Sequence, residues 1–234
     1  MESETPGDIT AANFRLKRRT PALAAGAFDP PALLRNAHLQ SILPSLPPRR
    51  WFTHSRARAL RRQAREWLLD CGELGRLTAL HTAAIRPTGR AALLLHGWEG
   101  SAESPYVLSL GAALLQQGFE VVRLNLRDHG GTQHLNRELF HSCRLPEVVT
   151  AVRQAAARLA GARLYLAGFS LGGNFLLRVA AEPEPLPQLA GVVAISPVLD
   201  PARTLDAMEQ GTLYHDYFVR RWSRSLREIG RAHV

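Results

Sequence analysis

The chain has 234 residues, 46% of them apolar and 21% charged, which is enough for one sizeable core, few for two independent domains, and far from disordered or fibrous compositions. Its formal charge of +9 is almost wholly arginine, since Lys17 is the only lysine. The densest basic run, HSRARALRRQAR at 54–65, has no interleaved aromatics for base stacking and fits no nucleic-acid module; it reads as a solvated or salt-bridged surface, with weak membrane-surface attraction left open.

In chain order, MESETPGDIT is acidic and polar, and the longest apolar runs, AALLL at 91–95 and AGVVAI at 190–195, are strand-sized. A cytoplasmic protein without a membrane span is therefore expected. Residues 1–50 read as an irregular arm in which Pro30-Pro31 and Pro47-Pro48 break any long element. REWLLD and RLTALHTA are strand-like runs joined by CGELG, a hairpin signal. RAALLLHG, at 90–97, is the continuous apolar run of a strand buried on both faces. YVLSLGAALLQQG then has helical spacing and ends at Gly118, a candidate helix terminator. FEVVRLNL follows as strand, EVVTAVRQAAARLAG as helix, ARLYLAGF as strand, LGGNFLLRVAAE as helix and LAGVVAISPV as strand. Such alternation predicts an α/β fold with a mostly parallel sheet and helices on both faces. Cys71 and Cys143 are too few for a disulfide framework or a thiolate metal site. No His/Asp cluster has ligand spacing, so neither metal nor cofactor is expected.

GFSLG, at 168–172, fits G-x-S-x-G, the strand-turn-helix elbow that presents a nucleophilic serine. The five residues alone are a weak signal; the apolar strand before them and the helix after them supply the context. Gly168 and Gly172 have a steric reason, because strand and helix must pass close together on either side of a strained Ser170. An ordinary glycine-rich turn touching phosphate is the competing reading, and the first strand-helix unit carries no G-x-G-x-x-G to favour it. LLLHGWEGS, after the strand at 90–97, is placed to supply one donor of an oxyanion hole. That nominates the backbone N–H groups of Trp98 and Leu171. His96 reads as a brace for this loop, with a role as catalytic base the alternative.

These motifs resemble the YheT-like group of α/β-hydrolases, relatives of membrane-associated α/β-hydrolase-domain esterases and lipases. The matching pieces run from residue 28 to about 227: FDPPALLRNAHLQSILP, LLLHGWEGSAESPYVLSL, LNLRDHGGTQHLNRELFHS, GFSLGGNFLLR, ISPVLDP and GTLYHDYFVRRWSRSL. The resemblance implies an α/β-hydrolase fold and a serine hydrolase acting on carboxylic esters, of the short-chain ester or acylglycerol type, with Ser170 as nucleophile. It also implies that Asn36, His38 and Gln40 belong to a family-specific arm and are structural. Asp128-His129 departs from the small residue or cysteine frequent in the family.

A triad on this fold runs Ser, then Asp or Glu, then His. After Ser170 only His215 and His233 remain, neither on a loop that follows a strand, and Asp200 is an alternative acid. The terminal EIGRAHV is also what the start of a common sequencing adapter encodes. The expectation is therefore a chain lacking the last strands and most of the cap: an arm at 1–64, an incomplete hydrolase core at 65–199, the start of a helical cap at 200–228, and adapter-derived residues at 229–234. The expected activity is ester cleavage through an acyl-enzyme, with this fragment itself inactive. An acyltransferase with the same nucleophile, or a non-catalytic fold that binds an acyl ligand or partner, stays open.

Overall fold

A computed structural model describes residues 30–43, 46–210 and 212–233. The chain forms two units, Met1–Leu43 and Pro44–Val234. In the first, the described residues form a 3-10 turn, Ala32–Leu34, and a short helix α1, Ala37–Ile42. Asn36 caps α1 by accepting from the amides of His38 (2.9 Å) and Leu39 (3.2 Å). Gln40 Nε2 donates to the carbonyl of Leu34 at 2.5 Å. Both side chains are thus spent on the local turn.

The second unit opens with helices α2, Pro47–Arg56, and α3, Arg58–Arg62. Pro47-Pro48 was expected to break structure and instead begins α2. In the first turn of a helix the amides have no intrahelical acceptor, so proline loses nothing there and its fixed φ suits the helix. Strands β1, Arg65–Asp70, and β2, Arg76–Thr82, form the expected antiparallel hairpin. There follow β3, Arg90–Leu95; α4, Pro105–Gln116; β4, Phe119–Leu124; α5, Leu145–Arg158; and β5, Arg163–Phe169. The unit continues with α6, Leu171–Ala180; β6, Leu189–Ile195; α7, Pro201–Glu209; and α8, Thr212–Ala232. Gly118 follows α4 with φ 80°, the left-handed conformation expected of a helix terminator.

The six strands lie in the order β1-β2-β4-β3-β5-β6, with β2 antiparallel to both neighbours and the pairs β4–β3, β3–β5 and β5–β6 parallel. Alternate residues of the central strands feed two cores. Leu93, Leu95, Val122, Leu124, Leu164 and Leu166 pack with Val152, Phe175 and Leu176 of α5 and α6. On the opposite face Ala92, Leu94, Val121 and Ala167 pack with Leu108 of α4 and Leu60 of α3. Burial on both faces is why AALLL, at 91–95, is apolar at every position rather than at every second one. Helices α2 and α3 belong to this second core: Thr53, Ala57 and Leu60 are buried, and Thr82 Oγ1 donates to the carbonyl of Leu60 at 2.8 Å. Among the described residues no helix is long and apolar enough to cross a membrane.

Candidate active site

β5 ends at Phe169 and α6 begins at Leu171, so the chain reverses on Ser170 alone. Its φ of 50° and ψ of −119° lie outside the regions open to ordinary side chains, a strain of about 1–3 kcal/mol that surrounding contacts must hold. The Ser170 amide donates to the carbonyl of Ile195 at 2.9 Å, and its carbonyl accepts from the Asn174 amide at 3.1 Å. Three glycines make the turn sterically attainable. A Cβ on Gly168 would meet the Gly172 carbonyl oxygen at 2.4 Å, and one on Gly172 would meet the His96 oxygen at 2.2 Å. A Cβ on Gly97 would stand 3.1 Å from the Ser170 Cβ. The first two contacts are the close strand-helix passage anticipated for Gly168 and Gly172. The third, unforeseen, brings the loop after β3 against the serine.

That approach follows from register, because Leu95 of β3 lies opposite Gly168 of β5 and the two chains leave the sheet together. Trp98 therefore sits one residue beyond the Gly97 contact with Ser170. The Trp98 and Leu171 amides donate to no acceptor among the described residues. Leu171 N–H is one of the unpaired groups at the start of α6, where the helix dipole is positive. Two free donors and a helix N-terminus near one serine hydroxyl can stabilise negative charge developing there. Ser170 Oγ itself makes no hydrogen bond among the described residues.

The histidines near this site are occupied. His96 is fully buried, its Nδ1 at 2.7 Å from the Gly97 carbonyl and its Nε2 accepting from the Leu126 amide at 3.1 Å. Nδ1 must then carry the proton, and the ring braces the loop as the sequence suggested. Burial, with a smaller contribution from the nearby charge of His129, pushes the His96 pKa down to about 3. His129 is similarly committed: Nδ1 faces the Arg127 carbonyl at 2.5 Å and Nε2 accepts from the Glu99 amide at 3.1 Å. Burial lowers its pKa as well. Asp128 is buried with φ 60°; its Oδ2 accepts from the Phe140 amide at 2.8 Å, and burial raises its pKa. Asp200, the alternative acid, caps α7 by accepting from the Arg203 amide at 3.1 Å. His215 lies exposed on α8, 3.5 Å from the neighbouring Asp216. The geometry thus joins Ser170, Trp98, Leu171, Gly168 and Gly172, and leaves Asp200 and His215 in other roles.

A groove of about 1190 Å³ reaches Phe169, the residue before Ser170, and is lined also by Trp98, Tyr106, Ile195, Phe218 and the α2 residues Arg49 and Arg50. Sequence reasoning missed the part that α8 plays here: the Trp98 indole stacks on Phe218 with centroids 5.4 Å apart and planes 3° from parallel. The recurrence of aromatic and polar residues at helical spacing in YHDYFVRRWSRS was the available signal.

Comparison with known proteins agrees with this architecture. The α/β-hydrolase fold family model matches residues 92–231. YheT of Escherichia coli (strain K12), named provisionally as an esterase, is 27% identical over 183 residues, 75% of this chain and 50% of its own. An embryogenesis-associated protein of Picea glauca is 22% identical over 142 residues, covering 61% of this chain and 31% of that one. The chain thus spans half or less of the length of these curated relatives. Among solved structures, an esterase from Pyrococcus furiosus superposes with a TM-score of 0.54 at 16% identity, over 70% of this chain and 62% of that one. An α/β serine hydrolase homologue from Coxiella burnetii gives 0.50 at 20% identity, over 60% and 66%. Strand order, elbow and family match converge: the chain belongs to the α/β-hydrolase fold family and is similar to YheT within it.

Proposed function

We propose that the protein is a serine hydrolase of carboxylic esters, in which Ser170 Oγ attacks the acyl carbonyl of a small ester to form an acyl-enzyme that water then cleaves. The backbone conformation of Ser170 carries the reading, since φ 50° and ψ −119° are a strained geometry that a structural serine has no reason to keep. The amides of Trp98 and Leu171 are the proposed donors to the tetrahedral oxyanion, and the groove beside Trp98 and Phe169 is the proposed seat of the acyl group. The esterase names of YheT and the Pyrococcus protein support the ester class.

The base and acid of this reaction are assigned to none of the described residues. His96 and His129 have both ring nitrogens engaged, and Asp200 is a helix cap. Without that pair, an oxyanion hole and binding alone supply about 10³-fold to 10⁴-fold acceleration over water, so this chain by itself is expected to be nearly silent in ester turnover. The assignment of Ser170 is testable without turnover. Prolonged treatment with a fluorophosphonate should place the adduct on the peptide containing Ser170 in preference to all other serines, and Ser170→Ala should abolish it. Labelling spread evenly over surface serines would refute the nucleophile.

A further inference from the structure

The loop after β3 is fastened on both sides of Trp98. On one side, the Gly97 carbonyl faces His96 Nδ1 at 2.7 Å and the Gly97 amide donates to the Tyr106 hydroxyl at 3.2 Å. On the other, Glu99 has φ 57°, a conformation that side chains disfavour and that needs outside support. Three polar groups of Glu99 have partners. Its amide donates to His129 Nε2 at 3.1 Å, its carbonyl accepts from Arg221 Nη2 at 2.5 Å, and its Oε2 accepts from Ser225 Oγ at 3.0 Å. The Trp98 ring is held too, stacked on Phe218 and edge-on to Trp222 with centroids 6.3 Å apart. Phe218, Arg221, Trp222 and Ser225 recur at helical spacing, so one face of α8 meets the loop. His129 holds it from the loop after β4. Only the Trp98 amide, in the middle, is left without an acceptor among the described residues.

We infer that α8 and His129 form a clasp that aims the Trp98 amide at the oxyanion, with Phe218, Arg221, Ser225 and His129 as positioning residues acting through Glu99 and the Trp98 ring. The inference rests on the proposed roles of Ser170 and Trp98. A hydrogen-bond donor accelerates a reaction in proportion to how well it is fixed before charge develops. A strained Glu99 beside a tryptophan that follows a glycine cannot fix itself. The unusual Asp128-His129 pair thereby gains a use, because a histidine with Nδ1 protonated presents the acceptor that the Glu99 amide requires.

Two readouts test the clasp on the full chain. Hydrogen exchange at the Glu99 and Gly100 amides should rise at least about tenfold in Phe218→Ala and in Ser225→Ala, with exchange in β5 unchanged. The rate of fluorophosphonate labelling at Ser170 should fall about tenfold in both variants, less than the 100-fold or more expected for loss of a whole donor. Phe218→Tyr, which keeps the stacked ring, should restore both. Ser225→Ala removes a single hydroxyl, so it reports even where Phe218→Ala loosens the fold. Unchanged exchange at residues 99 and 100 in both variants overturns the clasp, as does faster exchange with undiminished labelling. If wild-type Ser170 takes no label while exchange still responds, the nucleophile assignment fails and the catalytic part of the inference falls with it, whereas the mechanical contact stands.

Discussion

At Gly172 a single hydrogen atom separates a formed turn from a blocked one. A methyl group there would lie 2.2 Å from the His96 carbonyl oxygen, a backbone atom with nowhere to move, so Gly172→Ala should cost about 3 kcal/mol of stability. Gly161→Ala is the control: it has open space but φ 89°, and should cost about 1 kcal/mol through conformation alone. Urea denaturation of the two variants checks the difference, and equal losses would show that the close passage is not tight. His96 gives a second prediction. Its folded pKa, about 3, lies below the ordinary 6.5, so the unfolded chain binds a proton that the folded chain refuses. Stability is therefore full above about pH 6.5 and declines as pH falls toward 3, by up to about 1.4 kcal/mol per unit, and His129 acts in the same direction. The urea midpoint should fall between about pH 7 and 5, and His96→Gln should flatten that dependence. The serine and its two flanking glycines were legible in the sequence as a short local pattern, although the atoms that crowd Gly172 belong to the distant end of β3 and the residue after it. The tie between His129 and Glu99 was not, because thirty positions separate residues that only the fold brings together.

The helices α2 and α3 show where pattern reading stops at the element scale. A run of arginines and a proline pair look like solvated coil, and only the inward residues Thr53, Ala57 and Leu60 betray a packed face. Those three are small or solitary in a basic background, so periodicity was too faint to find them. Leu60 is fully buried between α4 and the sheet, and Leu60→Ala should cost about 2–5 kcal/mol, measurable as a lower urea midpoint. A loss below about 0.5 kcal/mol would return this segment to the arm. The loop between β4 and α5 is anchored differently, by the buried pair Arg127 Nη2 and Glu147 Oε1 at 2.8 Å. Burial raises the Glu147 pKa, opposed by its bonds to Arg127. Glu147→Ala would strand the guanidinium and should destabilise by about 3–5 kcal/mol.

Across the whole molecule, the strand-helix alternation fixed the class of sheet correctly because the apolar runs of the central strands are buried on both faces. Strand order was less legible, since nothing local tells β3 to lie between β4 and β5. The sheet ends at β6, where Val193 is 56% exposed and Ile195 37%, so an apolar edge faces outward. Such an edge can pair with another chain, and this chain should self-associate. Val193→Lys should suppress that association in light scattering without lowering the thermal midpoint; unchanged scattering would place the contact elsewhere. His96 carries a further consequence. Its ring spans the ends of two neighbouring strands, joined to Gly97 on one side and to Leu126 on the other, while His129 reaches back to Glu99. The segments 96–100 and 125–130 are therefore one exchangeable cassette. In chimeras with other hydrolases, transplanting either segment alone would leave a buried imidazole facing the wrong backbone, whereas moving both together carries the whole lock across.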